Sequence, residues 1–255
     1  MQNCFISYFD YMGFKEFILN NPSDHLVKRM SHVFRDIENA LAKGKLQAPK
    51  GGIVLADISE SIINSINISD TVIFWTNDTS IESFKELIQV TDRFNYTQVC
   101  YNFPVRGVMV YGEVHLVGGT TKSDVGAVYN VSCLYGKGLV NAHMKAEDMS
   151  MAGCVVDQSV VEELAKHGDP EDFLRDYTVK YKVPYKHPPN PHPEEYVFGL
   201  TKVGEKMNDD FFNNKKKGIE EAFTKDNKGM NKRVEDLLGN TINFLKTFKE
   251  NKEGA

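Results

Sequence analysis

Cys4-Phe5-Ile6-Ser7-Tyr8-Phe9-Asp10-Tyr11-Met12-Gly13-Phe14 is an aromatic and β-branched run that ends on an acid and then a glycine. Such a run reads as a buried strand. An acid at its tip is costly to bury unless it is paired or holds a metal. A second run, Ile66-Asn67-Ile68-Ser69-Asp70-Thr71-Val72-Ile73-Phe74-Trp75, places another acid at the apex of what reads as a hairpin. Two carboxylates from different strands form a ligand set for a hard divalent cation, and such a site suits phosphate chemistry. The plainer alternative is that Asp10 caps the following helix and Asp70 is a turn residue, since Asp is favoured at both places.

Working outward, Gly13 breaks the strand pattern and residues 14–19 begin a helix. Asn21-Pro22-Ser23-Asp24 stops it and caps a second helix over 24–43. Pro49-Lys50-Gly51-Gly52 reads as a loop, and 53–56, 62–68 and 72–75 read as strands. Thr79-Ser80 caps a helix reaching to about residue 94, and 105–116 is a further strand. Gly118-Gly119 lacks a phosphate-loop Lys-Ser/Thr and reads as a turn. Residues 135–149 are helical in character, 153–156 are a short strand, and Ser159 caps a helix over 160–167. Strands at 178–183 and 196–200 flank a proline-rich loop. From Gly204 onward the chain is charged and amphipathic, as two helices broken near Asn227-Lys228-Gly229. This order predicts an α+β fold with a ferredoxin-like βαββαβ core. It divides the chain into a catalytic domain, 1–203, and a C-terminal helical extension, 204–255.

A net charge of −5 argues against non-specific nucleic-acid binding, which needs a basic face. No apolar run approaches the roughly 18 residues of a membrane span, and Met1-Gln2-Asn3 has no basic leader character. Cys4, Cys100, Cys133 and Cys154 are far apart, lie in apolar surroundings and form no C-x-x-C pair. The expectation is buried free thiols in a cytoplasmic protein.

Phe9-Asp10-Tyr11-Met12-Gly13-Phe14 resembles the opening metal motif of class III nucleotidyl cyclases, and Ser69-Asp70 resembles their second motif, usually Gly-Asp. Arg106-Gly107-Val108-Met109-Val110-Tyr111-Gly112 is similar to the next core strand of that family. Gly136 to Lys145 stands where the family has a glycine-led helix carrying an Asn and an Arg, and Ala152 to Val160 resembles the strand-into-helix that follows. Three departures point away from ordinary adenylyl cyclases, the first being the long separation of Asp10 from Asp70, with an inserted helix and loop near residues 40–60. Ile66 replaces a purine-reading Lys, and Lys145 replaces the transition-state Arg, without its planar fork. The pattern is most like the bacterial Pycsar antiphage cyclases, which make cyclic pyrimidine nucleotides.

The resemblance implies two divalent ions, Mg²⁺ or Mn²⁺, held by Asp10, the Tyr11 backbone and Asp70. It implies a nucleotide site formed with Gly13, Phe14, Ile66, Arg106 and a late lysine: Lys182, with Lys180 and Lys186 as alternatives. Asn141 and Lys145 come from a second copy of the chain, so the expected state is a homodimer. The implied reaction converts UTP to 3′,5′-cyclic UMP and pyrophosphate, as a signal read by a cyclic-nucleotide-binding effector. An adenylyl or guanylyl cyclase, or an inactive nucleotide-binding scaffold, are the alternatives. His187 and His192 in the proline-rich loop, and Lys215-Lys216-Lys217, read as a stiff loop and a solvated helix face.

Overall fold

The computed structural model describes residues 2–48, 54–201, 204 and 206–249. Its central strand is β1 (Gln2–Tyr11), in which Phe5, Ile6, Ser7, Tyr8 and Phe9 are all buried, so both faces of the strand are covered. The remaining strands are β2 (Asn64–Ile68), β3 (Thr71–Trp75), β4 (Val105–Lys122), β5 (Val128–Tyr135), β6 (Gly153–Val156), β7 (Thr178–Tyr181) and β8 (Glu195–Phe198). The sheet order is β2-β3-β1-β4-β6-β8-β7, with β5 paired to β4 alone. The first four strands are antiparallel in the order β4-β1-β3-β2. Their crossovers are α1 (Phe14–Asn20) with α2 (Ser23–Leu41), and α3 (Ile81–Tyr101). This is the expected ferredoxin-like βαββαβ core within a mixed α+β, eight-stranded fold.

Strand alternation sorts β1 into two functions. Phe5 and Phe9 meet Phe84 and Phe94 of α3 at ring separations of 5.0 and 4.9 Å, and Ser7 Oγ lies 2.6 Å from Thr91 Oγ1. Gly107 on β4 makes room for Phe9, because a Cβ there would lie 2.5 Å from its ring. Ile6, Tyr8 and Asp10 take the opposite face, where Tyr8 OH meets His143 Nδ1 of α4 (Lys137–Asp148) at 2.9 Å. Asp10 therefore emerges on the α4 side at the end of the sheet.

Several expected boundaries move. Gly118 and Gly119 lie inside β4, not in a turn, and β5 closes a long hairpin that the periodicity does not predict. Most of β5 is exposed, so no buried face imprints an apolar alternation on its sequence. Tyr135 ends β5 and the helix begins at Lys137. Cys133 is exposed on this hairpin, contrary to the expectation of four buried thiols; the other three are buried. Helix α3 continues past residue 94 to Tyr101 because Val99 and Cys100 still face the core. Asp157, not Ser159, caps α5 (Gln158–Leu164), and α6 (Pro170–Leu174) is an additional short helix. Residues 54–56 form no strand, only a Leu46–Ala56 bridge; the expected loop at 49–52 and Ile53 lie outside the described residues.

The two C-terminal helices are α7 (Asp209–Thr224) and α8 (Lys232–Lys246). Ile219, Phe223, Phe244 and Leu245 join the main hydrophobic core, and the Ala152 N–H donates to Thr241 Oγ1 at 2.9 Å. The α7–α8 connection is strapped down. Asp226 receives His25 Nε2 and Arg29 Nε, each at 3.0 Å, and Asn21 Nδ2 donates to its carbonyl at 2.7 Å.

Candidate active site

Asp10 ends β1 and Asp70 sits in the β2–β3 turn, where Ser69 adopts a left-handed φ of 56°. The Tyr11 N–H donates to the Asp70 carbonyl at 2.8 Å and locks the turn against the strand end. Gly13 follows with φ 78°, a conformation that glycine adopts without strain. Here it turns the chain into α1, whose Phe17 N–H bonds the Gly13 carbonyl at 3.0 Å. Phe14 then stacks on Tyr11 at 6.4 Å.

Arg106 is the direct cross-strand neighbour of Asp10. Its Nη2 donates to Asp10 Oδ2 at 2.7 Å and to Glu147 Oε1 at 2.5 Å, and its Nη1 donates to the Glu147 carbonyl at 3.2 Å. A guanidinium at the C-terminal end of α4 also suits the helix dipole. Arg106 Nε is buried and has no acceptor among the described residues. Burial is the main force that raises the Asp10 carboxyl above its ordinary range. The Arg106 hydrogen bond and charge oppose it, and the charges of Asp70 and Glu147 add to it.

A cavity of about 350 Å³ opens here, lined by Asp10, Asp70, Gly13, Arg106, Glu147 and Lys228 among others. Lys228 comes from the α7–α8 connection and packs over Gly13, its Cβ 3.4 Å from where a Gly13 Cβ would be. Its Nζ donates to the Ala222 carbonyl at 2.6 Å and lies 4.0 Å from the Phe103 ring centre. Burial pushes this ammonium down to about 7.

The donor set fits a hard cation. Asp70 is close enough for its charge to raise the Asp10 carboxyl, and neither carboxylate is sealed from solvent. Among the described residues no three His, Cys, Asp or Glu side chains gather into a closed metal cage. Mg²⁺ commonly binds through one or two carboxylates, keeping the rest of its shell for water and phosphate oxygens.

The other expected residues are distributed as follows. Ile66 lies on β2 opposite Ile73 and packs on the core. Asn141 is exposed on α4. Lys145, one turn further, donates to Asp157 Oδ2 at 3.0 Å and to Glu195 Oε1 at 2.5 Å, and Tyr185 OH donates to Glu195 Oε2 at 2.5 Å. Neither Asn141 nor Lys145 lines the Asp10 cavity of its own chain. Lys182 is exposed just beyond β7, and Lys180 lies over the Tyr196 ring at 3.4 Å. Of the late lysines it is Lys186 that the fold brings to this cluster: its Nζ donates to the Glu147 carbonyl and stands 3.9 Å from Glu147 Oε2. Glu147, Lys228 and Arg233 are the lining residues that sequence reasoning missed. Lys228 leaves a trace in the sequence, inside the break Asn227-Lys228-Gly229 between the two C-terminal helices.

Neither a family model nor a curated protein matches the chain. Solved structures do resemble it. The guanylate cyclase domain of RhGC from Catenaria anguillulae, in complex with GTP, is 10% identical; the match covers 79% of this chain and 97% of that one, with a TM-score of 0.45. The non-canonical dimeric guanylyl cyclase domain of the RhoGC fusion protein from the aquatic fungus Blastocladiella emersonii is 11% identical, covering 78% and 94%, with a TM-score of 0.46. A class III adenylyl cyclase-like ATP-binding protein from Pseudomonas aeruginosa is 11% identical, covering 64% and 34%, with a TM-score of 0.37. Likeness at this level assigns no residue a role, so the chemistry of the acidic cavity rests on its own side chains.

Proposed function

We propose that this protein is a metal-dependent nucleotidyl cyclase that acts on a nucleoside triphosphate, with UTP preferred, as a homodimer. The observation that carries the proposal is the pair Asp10 and Asp70, locked together by the Tyr11–Asp70 hydrogen bond beside the Gly13 turn, in an open cavity edged with cations. Mg²⁺ or Mn²⁺ bound by these carboxylates and the Tyr11 carbonyl would activate the ribose 3′-hydroxyl and neutralise charge on the triphosphate. The 3′-oxygen bonds to the α-phosphorus, the α–β bridging P–O bond breaks, pyrophosphate leaves, and the hydroxyl proton passes to water. Gly13 and Phe14 bring backbone amides to the phosphates. Arg106, paired with Asp10 in the structure, could offer its guanidinium to phosphate oxygens were that carboxylate to hold a cation.

The preference for UTP rests on Ile66, an apolar, core-packed side chain with no group to read a purine edge. The homodimer rests on the β4–β5 hairpin, which exposes Leu116, Val117, Val128 and Tyr129, with Val140 and Met144 exposed on α4. That surface carries Asn141 and Lys145 toward a partner's cavity, where Asn141 orients the ribose and Lys145 meets the developing phosphate charge. The product is a second messenger for a cyclic-nucleotide-binding effector in antiphage defence. A second reading, a nucleotide-binding domain without turnover, is favoured by Lys145 being held by two carboxylates.

The test incubates the purified protein with each of the four nucleoside triphosphates and Mn²⁺ and identifies products by mass spectrometry. Cyclic UMP is expected as the main product. Cyclic AMP or GMP as the main product overturns the pyrimidine preference, and no cyclic product from any of the four overturns the cyclase.

A further inference from the structure

Arg233 is the second residue of α8 and lines the cavity that holds Asp10 and Asp70. It also lines an adjoining cavity of about 540 Å³ together with Lys186. Acids suit the first turn of a helix and cations do not, yet α8 opens with Lys232 and Arg233. Lys232 is relieved by Asp236 at 2.8 Å. Arg233 has no ion pair or hydrogen bond with any described residue. Arg106 and Lys186 stand nearby; both bond Glu147, Arg106 also pairs with Asp10, and the buried Arg106 Nε has no acceptor among the described residues. Burial lowers the Lys186 ammonium; the charges of Glu147 and Asp148 oppose this, and those of Arg106 and Arg233 add to it, so the three cations share one electrostatic neighbourhood.

The position of Arg233 is held, not incidental. Asn231 caps α8 by accepting from the Val234 N–H at 3.1 Å. The preceding strap is fixed by Asp226 on His25 and Arg29, by Asn20 on the Asn227 carbonyl at 2.9 Å, and by Lys228 over Phe103. Three neighbouring cations beside two carboxylates make a site for a polyanion whose other end would be metal-bound.

We propose that Arg233, with Lys186 and Arg106, clamps the terminal phosphates of a nucleoside triphosphate in cis, so that the C-terminal helix α8 is part of the nucleotide site. The proposal rests on the reading of Asp10 and Asp70 as the residues that anchor the metal-bound end of that phosphate chain. Calorimetric titration with inorganic tripolyphosphate and Mg²⁺ tests it without requiring turnover. Arg233→Gln, an exposed position whose melting temperature should not move, is expected to weaken tripolyphosphate by about tenfold or more, the scale of one lost charge-assisted hydrogen bond. Lys216→Gln removes the same charge from the outer face of α7 and is expected to stay within about twofold, since screening confines surface charge effects. Equal affinity in wild type and Arg233→Gln, or no wild-type binding at millimolar tripolyphosphate, overturns the clamp. Tripolyphosphate held through Arg233 by a protein that forms no cyclic nucleotide supports the clamp and overturns the cyclase. Cyclic nucleotide formed with unchanged tripolyphosphate affinity in Arg233→Gln overturns the clamp alone.

Discussion

Asp10 was readable as a functional acid because it ends a run whose other members belong in a core. Arg106 was readable as a cation that pairs with a core acid or meets phosphate, but not with which acid: it is ninety-six positions away and meets Asp10 only through the β1–β4 register, and Glu147 arrives from the end of α4. Sequence spacing carries no record of such pairings. Another buried acid, Asp92 on α3, has a testable consequence unrelated to the site. Burial pushes its carboxyl up to about 7, opposed by the charge of Arg93. Between its unfolded value near 4 and about 7 the native state binds a proton that the unfolded chain has released, so Asp92 lowers stability as pH rises through that window. Asp92→Asn is expected to melt higher than wild type at pH 8, by about 2–4 °C per kcal/mol recovered, and to match it near pH 4. Thermal denaturation at both pH values checks this.

At the scale of elements, the hairpin at Asp70 and the break near Asn227 were legible because turn residues interrupt apolar periodicity there. The role of the break was not legible, since it depends on what the strap touches. Asp226 and Asn227 both hold left-handed φ values, 64° and 51°, and that strain persists because Asp226 is buried on His25 and Arg29. Asp226→Ala removes those bonds and is expected to cost about 1–3 kcal/mol. It should also raise hydrogen exchange across 226–230, read by mass spectrometry, and weaken nucleotide binding through the displaced Lys228 and Arg233. The β4–β5 hairpin was illegible for the opposite reason: the outer part of β4 and most of β5 are exposed, so no buried face imposes an alternating pattern there.

For the molecule as a whole, the element order sufficed to predict the ferredoxin-like core, because two crossovers and one hairpin leave few ways to arrange four strands. What the order does not reveal is that the β4–β5 hairpin and the outer side of α4 expose apolar residues, among them Leu116, Val117, Val140 and Met144. Val128→Asp on the hairpin is expected to give a monomer of unchanged melting temperature by analytical ultracentrifugation, with cyclase activity reduced by about 10²-fold, since the half-site lacks its trans residues. Mixing Asp70→Ala with Asn141→Ala should restore activity that neither variant has alone, because one of the two composite sites in each mixed dimer is then intact.

The most direct measurement is nucleotide cyclisation by Asp10→Ala and Asp70→Ala, assayed with Mn²⁺ beside an active wild-type preparation. Each variant, folded by circular dichroism, is predicted to lose product by about 10²-fold or more, the scale of removing preorganised charge from a reacting centre. Product formation at the wild-type rate by either folded variant would contradict the account.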